Sequence, residues 1–192
     1  RASGRFFAPG AVAVDANGGV RVADTARGRI VRFSSEGTYL DSWGKAGADL
    51  GDLGRPSGLT LTKNRVLLVA EEANDRIQAF KEDGTWLRAF AGRSESIGRL
   101  SRPRGIAVDS RNRVYVADSA NGRLVISAVR GRPGAAKTVE LGAYAEPVGV
   151  CCDSEDRVYV TDVRNHRICV VVDGKWVAAW GRRVLSPRTS PV

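Results

Sequence analysis

The side chains that could do chemistry in this 192-residue chain are few in kind. There is one histidine, His166, and there are three cysteines, Cys151, Cys152 and Cys169. A single histidine cannot build a multi-histidine zinc site, and it leaves no alternative choice of base for a Ser-His-Asp triad. An odd number of cysteines cannot all pair within the chain, so we expect reduced thiols packed as small apolar groups. The sequence therefore predicts no catalytic residue, no metal site and no cofactor.

Acidic residues and arginines recur as pairs five positions apart, each pair after a short apolar segment. An arginine can hold a carboxylate through two parallel hydrogen bonds, which lysine cannot do. Because one pair occurs in every repeat of the chain, we interpret the pairs as a requirement of the fold and not as a ligand site. They are Asp24 with Arg29, Glu71 with Arg76, Asp118 with Arg123, and Asp162 with Arg167.

A second pattern keeps the same register and divides the chain into repeats. It is a glycine followed two residues later by an apolar residue and five later by proline, at 4–9, 51–56, 98–103 and 142–147. Periods in the forties are typical of propeller blades. We therefore predict blades at 1–50, 51–97, 98–141 and 142–181, with 182–192 as a tail or the start of a further blade.

Each repeat contains four short apolar segments separated by turn residues, which indicates four antiparallel strands and no helix. Such sheets have two apolar faces and must stack around a common axis to cover them, so the predicted fold class is all-β, a β-propeller of four-stranded antiparallel blades. We expect the first strand of each blade to be buried on both faces near the axis. The third repeat has 130–134, rich in Arg and Gly, where the others have an aromatic fourth strand. We expect a longer or looser outer edge there.

The sequence resembles NHL repeats, and the fourth repeat carries the resemblance best. It has Pro147-Val148-Gly149-Val150, then a strand ending at Asp162, then Asn165-His166-Arg167-Ile168. The second repeat departs from the pattern with Thr62 and Glu71 in place of aspartates, so its turns are expected to differ locally. The resemblance implies a ring that usually closes with six blades. Since four are visible and the sequence has no Met, we expect an excerpt of a larger ring, completed by further blades or by another chain.

Some propellers with six blades are lyases or hydrolases that hold calcium or zinc on the axis. That chemistry needs His, Asp, Asn or Glu pointing inward from several first strands. The first strands here offer mainly small apolar residues, and Cys152 aligns with apolar positions and is expected in the core. A fragment of a metal-dependent lyase or hydrolase is therefore our third hypothesis. The inward candidates are Ala13, Val14, Thr60, Leu61, Ala107, Val108, Cys151 and Cys152.

The chain is basic, with 30 Lys and Arg against 21 Asp and Glu, a net charge of +9 and a pI near 10.1. The candidate site for RNA or an acidic partner is the cluster Arg93, Arg99, Arg102 and Arg104. Other basic residues are dispersed among acids. We therefore favour a protein-interaction scaffold or recognition module, as in a large assembly or a tripartite-motif ubiquitin ligase. An RNA-binding propeller is the alternative.

The sequence also gives expectations about location. No apolar segment is long enough to span a bilayer, and the N-terminal residues lack the apolar core of a secretion signal. We expect no membrane insertion. Reduced thiols favour an intracellular, cytoplasmic protein.

Overall fold

The computed structural model describes residues 4–90, 99–128 and 136–181. Within them, sixteen strands form four four-stranded antiparallel sheets, each in chain order. Blade one contains β1 (Pro9–Val14), β2 (Val20–Asp24), β3 (Arg29–Phe33) and β4 (Tyr39–Trp43). Blade two contains β5 (Pro56–Leu61), β6 (Leu67–Glu71), β7 (Arg76–Phe80) and β8 (Trp86–Phe90). Blade three contains β9 (Pro103–Val108), β10 (Arg113–Asp118), β11 (Arg123–Ala128) and β12 (Lys137–Glu140). Blade four contains β13 (Pro147–Cys152), β14 (Val158–Asp162), β15 (Arg167–Val172) and β16 (Lys175–Trp180).

The turn from second to third strand is equally tight in all four blades because one residue in each is left-handed. That residue is Gly28, Asp75, Gly122 or His166, with φ of 58°, 53°, 67° and 53°. In blades one and three the turn closes as a single 3₁₀ turn, at Thr25–Arg27 and Ser119–Asn121. The sequence predicted no helix, and these two short turns are the difference within the described residues.

The outer edge of blade three is formed by a short fourth strand, β12, which pairs with β11 and buries Val139 although it carries no aromatic residue. The longer or looser edge expected at 130–134 falls outside the described residues and stays a prediction.

Three apolar clusters hold the sheets together, one between each pair of consecutive blades. The cluster between blades one and two includes Ile30, Leu53 and Phe80, with Trp43 against Phe80 at 4.9 Å between ring centroids. Sheets that bury their faces only against neighbouring sheets are stacked in the manner of propeller blades. The predicted all-β propeller is confirmed.

The first strands line the axis, with β1 beside β5, β5 beside β9 and β9 beside β13. The close approach depends on glycine. A Cβ on Gly58 would collide with the carbonyl oxygen of Arg104, and one on Gly105 would collide with that of Val148. The first strands of the two end blades were predicted to be buried on both faces. Instead β1 is largely exposed and β13 is mostly half-buried, because each has a neighbour on one side only among the described residues.

The propeller presents two faces. The connector face carries the segments that enter each first strand and the turns between second and third strands. The hairpin face carries the other two sets of turns. In the described part of the chain no helix has the length and apolar character needed to cross a membrane.

Candidate binding surface

The structure brings each predicted acid and arginine together at the connector face. The carboxylates are fully buried, and the arginine Nε lies 3.1, 2.9, 2.7 and 2.9 Å from the carboxylate oxygen in blades one to four. In blades two, three and four, an asparagine of the same turn also donates to the carboxylate. Every pair therefore closes the turn that it brackets.

The same pairs also hold the segment that enters the blade. Asp24 accepts hydrogen bonds from the backbone N–H groups of Phe7 and Ala8, both at 3.0 Å, and Asp118 accepts one from Ser101 at 2.7 Å. Burial alone would raise the pKa of Asp24, but these N–H groups and Arg29 outweigh it and lower that pKa. The acids therefore face their own blade's backbone and not the axis.

A second repeated set of acids lies on the hairpin face, at the start of the turns between first and second strands. Asp153 accepts hydrogen bonds from Arg157 and from the Tyr159 hydroxyl, the latter at 2.9 Å. Although burial acts to raise its pKa, these hydrogen bonds lower it to about 2. In blade two, the Thr62 hydroxyl accepts from the Val66 N–H at 3.1 Å, and the turn keeps the backbone hydrogen bond from Thr62 to Val66. The expected local difference at Thr62 is thus confined to the side chain.

A cavity of about 460 Å³ follows the axis between the four first strands. Its wall is mostly backbone and small or apolar side chains, such as Gly10, Leu59 and Ile106. Glu72 and Arg104 are the charged groups in this wall, at its connector-face end. The axial wall therefore offers an apolar surface with an ionic rim.

Glu72 is the centre of this rim. Its carboxylate lies 2.6 Å from Arg102 and 3.5 Å from both Arg55 and Arg104, and Arg104 also reaches Glu146 at 3.3 Å. Burial would raise the pKa of Glu72, but the hydrogen bond from Arg102 and the charges of Arg104 and Arg55 lower it. We call these five residues the Glu72 cluster.

The predicted basic cluster is thus only partly assembled. Arg102 and Arg104 meet at Glu72, whereas Arg99 is exposed and makes no ion pair with a described residue, and Arg93 lies outside the described residues. Asp75 accepts the Arg102 N–H at 2.7 Å and adds a further negative charge. Three arginines and three acids therefore surround the axial opening.

Two exposed aromatic residues on the connector face were not singled out in the sequence. Phe7 is 73% exposed with the Arg27 guanidinium 5.9 Å from its ring, and Tyr144 is 76% exposed with Arg164 at 5.4 Å. Register could have revealed Phe7, because the corresponding positions in the other blades hold Gly, Ser and Ala. Tyr144 has a left-handed backbone, with φ of 56°, which accompanies its outward position.

The remaining chemical candidates are separated. Cys169 is buried and Cys152 half-buried, where burial raises the pKa of the Cys152 thiol to about 12. Cys151 is exposed on β13, so the expectation that all three thiols are packed is wrong for this one, because no described residue covers that side of blade four. His166 occupies a left-handed turn position. Among the residues described, no three His, Cys, Asp or Glu side chains are grouped to hold a metal.

Comparisons with known proteins agree on the architecture. The family model for the NHL repeat matches residues 100–126 and 144–171, in blades three and four. A comparison with curated protein sequences gives no match.

Solved structures match over nearly the whole chain at low identity. Virginiamycin B lyase from Staphylococcus aureus has 17% identity and a TM-score of 0.72, over 90% of this chain and 55% of that one. U3-55K has 15% identity and a TM-score of 0.71, over 88% and 50%. The RRP9 WD40 repeats have 14% identity and a TM-score of 0.70, over 88% and 49%. The chain thus spans about half the length of each structure. We conclude that the described residues form a β-propeller of four blades, of which blades three and four match the NHL repeat.

Proposed function

We propose that this protein is a non-catalytic NHL propeller that binds a protein partner through its connector face. The observation that carries the proposal is that the Glu72 cluster and two exposed aromatic residues, Phe7 and Tyr144, lie on the same face. Arginine and tyrosine are enriched at protein interfaces and contribute most of their binding energy. A surface of mixed sign selects a partner by complementary charge.

The proposal assigns no catalytic role to any described residue. The polar groups at the axial opening are engaged with one another, and the thiols are dispersed over blade four. One of the similar structures is a lyase, but at 17% identity that likeness supports only the fold. Protein binding requires only the exposed aromatic and charged side chains that the connector face presents.

Capture of partners with matched variants tests the proposal. Wild-type protein, Tyr144→Ala on the connector face and Lys63→Ala on the hairpin face are used to capture proteins from a lysate. We expect a protein that wild type and Lys63→Ala retain and that Tyr144→Ala loses by about tenfold or more, the range of a central aromatic contact. Equal capture by wild type and by both variants would contradict the proposal.

RNA binding is a second candidate, because Phe7 and Tyr144 on the connector face each have an arginine beside the ring. Stacking of a base on an aromatic side chain contributes about 1–3 kcal/mol and tolerates any sequence. Charge argues against it. Around the axial opening, the three arginines of the Glu72 cluster are balanced by three acids, Glu72, Glu146 and Asp75.

A salt series separates the two functions. Binding of single-stranded RNA is measured by fluorescence anisotropy for wild type and for Phe7→Ala with Tyr144→Ala. An RNA-binding face requires an affinity that falls steeply with salt and falls further in the double variant. We expect weak binding that the double variant does not change.

A further inference from the structure

Two dipeptides in the chain place a glycine directly after an asparagine, Asn17-Gly18 and Asn121-Gly122. In such a pair the backbone nitrogen of the glycine can attack the side-chain amide of the asparagine, because the glycine has no side chain to hinder the approach. Ammonia leaves, a cyclic imide forms, and water opens the imide to aspartate or isoaspartate. Both pairs have the same local chemistry, so the fold decides which of them reacts.

Asn17 lies at the tip of the turn between β1 and β2, on the hairpin face. The residue is exposed, and its side-chain amide makes no hydrogen bond with a described residue. Gly18 has a left-handed backbone, with φ of 83°, and its N–H donates to the Asp15 carbonyl oxygen at 3.0 Å. Local opening of this turn releases the attacking nitrogen, and the amide that it attacks is already unconstrained.

The exposure of this tip is a property of the turn and not of the end of the stack. The residues at the same position in the other three blades are exposed as well, although each of those blades follows another one. These residues are Asn64, Arg111 and Glu155. We therefore expect Asn17 to be accessible to water whatever precedes blade one.

Asn121 is also exposed, so accessibility does not separate the two pairs. Its side-chain nitrogen is held, because it donates to the buried Asp118 carboxylate at 2.8 Å and to the Arg99 carbonyl oxygen at 3.3 Å. The same carboxylate holds Arg123 at 2.7 Å. Rotation of the Asn121 amide toward the backbone would take one donor from a buried carboxylate, which is costly.

We propose that Asn17-Gly18 is a site of spontaneous deamidation and that the fold protects Asn121-Gly122. In the reaction the bond between Asn17 Cγ and Nδ2 breaks, a bond between Cγ and the Gly18 nitrogen forms, and the proton of that nitrogen leaves with the ammonia. Water then adds to one carbonyl of the imide and leaves a carboxylate. Water is the co-reactant, and no electrons are transferred.

The product alters a turn that holds a buried arginine. Asp15 accepts two backbone N–H groups of this turn, both at 2.8 Å, and pairs with Arg21, whose side chain is 7% exposed between blades one and two. Arg21 also lies 2.7 Å from Glu82 of blade two. Isoaspartate lengthens the backbone of the turn by one methylene group, which displaces the N–H groups that hold Asp15. We therefore expect the modification to weaken the junction between blades one and two.

Peptide mapping of aged protein tests the proposal. Wild-type protein is incubated at mildly alkaline pH, digested with trypsin under mildly acidic conditions and analysed by mass spectrometry. Cleavage after arginine releases 6–21 and 114–123, each with a single asparagine. We expect Asn17 to be converted at least about tenfold faster than Asn121, since the Asn121 amide must first lose its hydrogen bond to a charged carboxylate.

The unfolded chain is the matched control. In guanidinium chloride the two pairs should react at similar rates, because the fold no longer distinguishes them. Equal conversion of the two asparagines in the folded protein, or faster conversion of Asn121, would overturn the proposal.

The effect on the junction is measured by thermal unfolding after the same incubation. Asn17→Gln removes the reactive pair without removing a hydrogen bond of the turn, so it controls for every other change during ageing. Aged wild type should unfold at a lower temperature than fresh wild type, and Asn17→Gln should not change. Converted wild type that unfolds like fresh protein would contradict the link to Arg21. The site lies on the hairpin face, so partner capture at the connector face is tested separately.

Discussion

Each of the buried acids that end the second strands is surrounded by hydrogen-bond donors. Asp118 has the Ser101 N–H, the Asn121 amide and the Arg123 guanidinium around it. Removing one partner of a buried pair leaves the other charge uncompensated. The pairs therefore act on stability, and their effect is open to measurement.

We predict that Asp118→Ala lowers the free energy of unfolding by about 3–5 kcal/mol, since it leaves Arg123 unpaired and frees the entering segment. The control is Asp41→Ala. Asp41 pairs with Arg32 at 2.8 Å on the exposed surface, where such a pair contributes at most about 1 kcal/mol. Urea denaturation measures both. Equal losses in the two variants would contradict the structural role of the pairs.

His166 is predicted to serve the backbone of its turn. At a φ of 53° a residue with a side chain costs about 1–2 kcal/mol, and glycine avoids that cost for about 0.5–1 kcal/mol of entropy. We expect His166→Gly to leave the free energy of unfolding, measured by thermal unfolding, unchanged or to raise it by up to about 1 kcal/mol. His166→Val, with a branched Cβ, should lower it. A large loss in the glycine variant would mean that the imidazole itself has a role.

Glycines in the first strands set how closely neighbouring blades approach. Gly105 sits under the backbone of Val148, and Gly58 under that of Arg104. At the corresponding Gly149 of blade four, the described atom nearest to the would-be Cβ is the Thr161 hydroxyl oxygen at 3.0 Å, within the same blade. The same residue type therefore meets a different environment at the end of the stack.

We predict that Gly105→Ala destabilises the protein by about 1–3 kcal/mol, since the added methyl group must displace backbone. Gly149→Ala should cost much less, because a side chain can move. Thermal unfolding of the two variants at low protein concentration makes the comparison. Similar losses would show that the axial contact between blades three and four is looser than described.

Elements encoded by local pattern could be predicted from the sequence. The repeated prolines predicted where β5, β9 and β13 begin. The repeated arginines predicted where the third strands begin. The fourth strand predicted for every blade is present in blade three as β12, although it carries no aromatic residue. The exposure of Cys151 escaped prediction, since it depends on which neighbouring blade is present and not on the strand itself.

The binding surface could be predicted less well than the fold because its partners come from different blades. Glu72, Arg102 and Glu146 are far apart in sequence and meet only when the blades stack. A run of arginines in one segment therefore indicated a basic site, whereas acids from neighbouring blades balance it. Repeat register, rather than composition, was the signal that pointed to Phe7.

At the scale of the whole molecule, charge is unevenly distributed along the sequence. The described blades are close to neutral, while most of the basic excess belongs to 91–98, 129–135 and the two ends of the sequence. An axial opening where three arginines face three acids, with exposed aromatic residues on the same face, favours a protein partner over a polyanion. Partner binding at that face is the central claim.

Cross-linking of the captured complex tests that claim most directly, because the lysines divide between the two faces. Lys45 lies on the connector face, and Lys63 and Lys81 lie in hairpin-face turns, all three exposed. Mass spectrometry after amine cross-linking should find partner cross-links at Lys45 and few or none at Lys63 and Lys81. Cross-links confined to Lys63 and Lys81 would contradict the claim.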